Sequence, residues 1–142
     1  MAFLNGEEWN VFLAIKKDRC VSWYGTGALL RDPLENCFIL NRSYDAGNKI
    51  HAQILILREV LVRLKELEIK SIALFDDKNT WKNLINNKDT IHWEIYPAFS
   101  DIHFLTNHMQ VIHFNNSWHP LTKETQKQAT KAATARISNS WP

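Results

Sequence analysis

The chain has little of what would tie it to a disulfide framework, a thiolate metal site or a membrane. Cysteine occurs twice, at Cys20 and Cys37, without metal-type spacing, so two reduced thiols are expected. Glycine and proline occur four times each in 142 residues, which excludes collagenous and low-complexity classes. No apolar run approaches the roughly 20 residues that span a bilayer. Residues 1–10 are acidic and contain no secretory core, so an intracellular setting, cytoplasmic or nuclear, is expected. The net charge of +2 is too small by itself to imply a nucleic-acid partner.

What is present has the balance of a globular protein, with 45% apolar and 23% charged residues, so disorder is not the expected state. The length suits one compact domain over residues 1–142, with 1–8 and 137–142 as flanking tails. Asn41-Arg42-Ser43 fits a glycosylation triplet that carries no meaning inside a cell.

Strand signals fill the first third. Residues 9–16 (W-N-V-F-L-A-I-K) and 20–30 are β-branched and aromatic stretches separated by the polar turn Lys17-Asp18-Arg19. A second turn around Pro33 leads to a third strand over 37–40. Ile50, Ile54, Leu57, Leu61 and Leu64 then recur at helical spacing. The short apolar run 70–75, bounded by Asp76-Asp77, predicts a buried strand parallel to an earlier one. Helices follow over 79–86, where Asp76 or Asp77 would cap, and over 97–108. A strand over 110–114, a loop over 115–122 and an alanine-rich helix over 123–136 complete the order βββαβααβα. The predicted class is α/β, a mixed five-stranded sheet flanked by helices.

Most chemical constellations fail on spacing. The six histidines, His51, His92, His103, His108, His113 and His119, include no H-x-x-x-H pair. No nucleophile elbow occurs. Gly25-Thr26-Gly27 lacks the third glycine and the following helix of a phosphate cradle. The last helix is different: Lys123, Lys127 and Lys131 are spaced by four and Arg136 follows, against Glu124 alone. This basic stripe is a candidate nucleic-acid surface, with Trp118 and Trp141 available to stack on bases; a merely solvated helix face has the same pattern.

Four local sequences carry a family resemblance. The stretch Gly25-Thr26-Gly27-Ala28-Leu29-Leu30-Arg31-Asp32 resembles the G-x-G-h-h-h-R-D second strand of the ribonuclease H-like domains of plant non-LTR retrotransposons. Residues 52–61, from Ala52-Gln53, are similar to the A-E-h-h-A helix of those domains. Residues 72–78, with Trp81 and Leu84, resemble their h-x-h-E-S-D-S segment, and His119-Pro120 ahead of Ala129-Thr130 resembles their closing motif. The likeness covers residues 11–133, and it implies a ribonuclease H-like fold.

The resemblance also implies a carboxylate on the first strand, on the first long helix, after the fourth strand and on the last helix. Two divalent cations need such converging hard ligands. Here the four positions fall on Ala14 or Ile15, Gln53, Asp77 with Asp76 beside it, and Ala129 or Thr130. Asp77, with Asp76, is thus the remaining candidate metal ligand, and either could instead serve as a helix cap. The expectation is a catalytically inactive ribonuclease H-like module, retained for binding nucleic acid (an RNA/DNA hybrid or a single strand) or a protein, with no cofactor. The alternative is a working Mg²⁺-dependent nuclease acting on hybrids through rearranged ligands such as Asp18, Asp76 and Asp77.

Overall fold

A computed structural model of the chain describes residues 8–18, 23–86, 96–135 and 138–139. The β-branched and aromatic stretches become β1 (Trp9–Lys17), β2 (Trp23–Arg31) and β3 (Cys37–Asp45). They pair antiparallel without a break, from Asn10 opposite Arg31 to Lys17 opposite Tyr24, and from Trp23 opposite Asp45 to Arg31 opposite Cys37. Cys20 lies outside the described residues. The third strand runs past the predicted Leu40 because its polar second half is anchored from outside the sheet. Ser43 Oγ donates to the Ala132 carbonyl at 2.6 Å, and Asn41 Nδ2 donates to Gln128 Oε1 at 3.0 Å. Asn41 is therefore a buried structural residue, 3% exposed.

The helix α1 (Lys49–Glu66) starts where the Asn48 side chain accepts from the His51 N–H at 2.9 Å, satisfying an otherwise orphaned donor. It crosses to β4 (Ser71–Phe75), which lies parallel to β1 from Trp9 opposite Ile72 to Phe12 opposite Phe75. Then come α2 (Thr80–Asn86), α3 (Tyr96–Asn107), β5 (Val111–Asn115) parallel to β4, α4 (Pro120–Ala135) and the two-residue β6 (Ser138–Asn139). The sheet order is β5-β4-β1-β2-β3-β6. The predicted element order holds, and β6 adds a sixth strand at one edge, too short to leave any periodicity in the sequence. Among the described residues no helix is long and apolar enough to cross a membrane.

Alternation along β1 assigns the two layers. Val11 and Leu13 join Leu30, Leu40, α1 and α3 in the main core, with Ile54, Leu64, Phe99 and Ile102 almost fully buried. The opposite face receives α4. Its contact surface is made of Ala129, Ala132 and Ala133, each 4% exposed or less. They sit against Gly25 and Gly27, where no side chain intervenes. A Cβ on Gly25 would overlap the α4 backbone at Ala129 and Ala133, and one on Gly27 would stand 2.5 Å from the Thr125 carbonyl oxygen. The two glycines thus seat a helix.

Gly25→Ala should lower stability by about 3 kcal/mol in urea unfolding, the upper range for overpacking. Gly47→Ala, where an added Cβ meets nothing within 4 Å, should change it by less than about 0.5 kcal/mol. Equal effects would show that α4 does not rest on this seat.

Candidate functional site

Parallel strands leave a crevice beyond their carboxyl ends, where chain segments diverge to opposite faces. Here it is a cavity of about 140 Å³ beyond the ends of β1 and β4. Leu13, Ala14 and Ile15 line it from β1, Lys49 and Gln53 from the first turns of α1, and Phe75 to Lys78 from the end of β4. Thr80 and Trp81 of α2 and Thr122 and Gln126 of α4 complete the wall. Three of the four positions singled out in the sequence, Ile15, Gln53 and Asp77, therefore meet in one place.

The last-helix position does not come out as expected. Ala129 is 1% exposed and is turned to Gly25. Thr130 is exposed, with its hydroxyl donating to the Gln126 carbonyl at 3.0 Å. Neither lines the cavity; Gln126, one turn earlier, does. The rotation of α4 on its glycine seat decides this, and a sequence offset cannot. Lys49 and Lys78 were also missed. Lys49 stands one helical turn before Gln53, and Lys78 follows Asp77, so proximity in sequence was the available signal.

The adjacent carboxylates have separate roles. Asp76 is 3% exposed, and its Oδ2 accepts from the Lys82 N–H at 2.8 Å, capping α2. Its own N–H donates to the Asn115 carbonyl at 2.8 Å, tying the end of β4 to β5. Asp77 is exposed and borders the cavity. Of the two candidate caps, Asp76 is the one used. Asp18 follows β1, its N–H donating to the Trp23 carbonyl at 2.9 Å, and it is not among the residues that line the cavity. The rearranged set Asp18, Asp76 and Asp77 is thus not assembled. Among the described residues no three His, Cys, Asp or Glu side chains gather as a metal cluster.

His119 builds the adjoining corner. Phe12 and Phe75 stack on each other, and the His119 ring sits against that pair, with centroids 5.1 and 5.2 Å away. Nδ1 accepts from the Leu121 N–H at 3.0 Å, so His119 caps α4 and Pro120 occupies the first helical position. That is why the helix begins three residues earlier than predicted. Desolvation among the rings, and then the positive charge of Arg31, lower the His119 pKa from its ordinary 6.5.

On its outward side α4 carries Lys123, Lys127 and Lys131, all exposed, with Trp118 60% exposed just before the helix. Arg136 and Trp141 lie outside the described residues. Glu124 is turned aside: its Oε1 accepts from Gln128 Nε2 at 3.3 Å, and Gln128 in turn accepts from Asn41.

No family model and no curated protein matches the sequence. Solved structures do match the fold. The ribonuclease H1 of the archaeon Halobacterium salinarum aligns with a TM-score of 0.73, over 90% of this chain and 98% of that one, at 10% identity. The chain has the ribonuclease H-like fold. The N-terminal ribonuclease H domain of Rv2228c from Mycobacterium tuberculosis aligns with a TM-score of 0.71, covering 87% and 97% at 10% identity. The LC11 ribonuclease H1 isolated from compost gives 0.64, covering 91% and 97%, also at 10% identity. In this ribonuclease H-like chain, then, the cavity occupies the crevice at the carboxyl ends of the central parallel pair.

The His119 cap makes stability depend on pH. A folded-state pKa below the ordinary one means that the cap contributes fully above about pH 6.5 and is lost as pH falls below it. Chemical denaturation between pH 7.5 and 5.5 should show the native chain losing more stability than His119→Asn, which retains a cap acceptor that does not titrate there. Parallel losses would remove His119 as the cause.

Proposed function

We propose that this chain is a ribonuclease H-like module that binds nucleic acid and does not cleave it. The composition of the cavity supports this reading. Cleavage by the two-cation route needs several converging carboxylates, one group of ligands activating water and the other stabilising the leaving oxygen. Mg²⁺ in particular is held by hard, anionic oxygens in near-octahedral geometry. At the positions where the family resemblance calls for carboxylates stand Ala14 or Ile15, Gln53, Asp77 and Ala129 or Thr130, and on the last helix it is the neutral Gln126 that lines the cavity. Asp76 contributes negative charge but directs an oxygen at the backbone of α2. Lys49 and Lys78 line the same cavity, so two of the charged residues in its wall are basic. These residues do not fit a two-metal centre.

Binding is retained in this reading because the fold is that of ribonuclease H domains and the lysines of α4 are exposed. Descent from a retroelement domain belongs to the same proposal, resting on the sequence motifs around Gly25, Gln53 and Asp77. An intracellular setting follows from the partner proposed.

With an RNA/DNA hybrid in Mg²⁺ or Mn²⁺, no turnover above background is expected, and hybrid binding should persist in EDTA. Metal-dependent turnover that Asp77→Asn abolishes would overturn the proposal.

A further inference from the structure

We infer that the outward face of α4 is a track for a single strand of nucleic acid, with Trp118 as its stacking platform. The inference rests on the reading that the domain binds nucleic acid, and it specifies where and in what form.

The geometry begins with the seat of the helix. Thr125, Ala129, Ala132 and Ala133 are buried against the sheet, so residues on the opposite side of α4 face away from it. Lys123, Lys127 and Lys131 occupy that side, one per turn. At 1.5 Å rise per residue they form a row about 12 Å long with cations about 6 Å apart along the axis. That repeat suits successive phosphates of one extended strand.

The row is also uncompensated. Glu124, the one carboxylate in α4, is drawn toward β3 by Gln128 and Asn41. Among the described residues none of the three lysines has a carboxylate partner, whereas Arg42, Arg58 and Arg63 are paired with Glu59, Asp101 and Glu66. Three like charges at successive turns repel one another. A polyanion laid along them would relieve that repulsion and release its own counterions.

A single strand fits better than a duplex. The cations form one straight row, which follows one backbone, and the exposed Trp118 ring at its head offers a face to a base that is not paired. Thr122 and Gln126, in the same first turns of α4, line the cavity with Asp77 and Lys78, so the track begins beside it.

Fluorescence anisotropy with fluorescein-labelled oligo-dT, oligo-U and an RNA/DNA hybrid, over a salt series, tests this. The native chain should bind the single strands more tightly than the hybrid. Replacing Lys123, Lys127 and Lys131 together by Gln should reduce the slope of log affinity against log salt by about 2, from about 0.7 per lost phosphate contact. Trp118→Ala should weaken single-strand binding about tenfold while leaving that slope unchanged. All four substitutions are on exposed side chains, and thermal unfolding would verify that the variants remain folded. Undiminished single-strand binding by the triple variant overturns the track and leaves nucleic-acid binding elsewhere on the domain standing. Failure of the native chain to bind any probe at low salt overturns both. Displacement of oligo-U by polyglutamate at equal charge concentration, with Trp118→Ala silent, identifies an acidic polypeptide as the partner and also overturns the inference.

Discussion

The contact between α4 and the backbone of β2 is the constraint on which the rest of this structure depends. Helices normally stand off a sheet by the depth of two layers of side chains, yet here one layer is missing at Gly25 and Gly27 and the other is reduced to alanine. Close approach of this kind permits little freedom of rotation, because a turned helix would drive a larger side chain into the strand. The polar bonds from Asn41 and Ser43 to Gln128 and to the Ala132 carbonyl fix the helix along its length. His119 fixes its start. Position, rotation and first residue are then all determined.

That determination has two consequences on opposite sides of the same helix. Toward the sheet, Thr122 and Gln126 are delivered to the cavity at the end of the central parallel pair. Away from the sheet, the lysines are held in a row that is exposed among the described residues. The cavity wall itself includes two lysines, a capping carboxylate and an exposed one. The proposed loss of metal chemistry and the proposed use of the α4 surface are therefore separate physical statements, even though one helix participates in both.

Much of this was legible in the chain before any tertiary information. The β-branched and aromatic content of 9–16 and the helical spacing from Ile50 to Leu64 depend on neighbours close in sequence, which is why those elements emerged nearly complete. That Gln53 stands where the family resemblance implies a carboxylate was legible because its flanking helix pattern is strong. Other features were not. The second half of β3 is polar and reads as a loop, since its stability comes from hydrogen bonds to a helix some ninety residues later. β6 is too short to have a pattern at all.

By itself, then, the sequence determined the order of elements, the chemical types available at the crevice and the existence of a basic stripe, because each is a matter of residue identity and local period. Tertiary structure alone decided that Asp76 is the cap and Asp77 the exposed carboxylate, that Gln126 faces the cavity in place of Ala129 or Thr130, and that Lys49 and Lys78 border it. The physical reason is the same in each case. Direction of a side chain in space follows from how a whole element is rotated against its neighbours, and at α4 that rotation is set by the absence of two Cβ atoms on a strand about a hundred residues away.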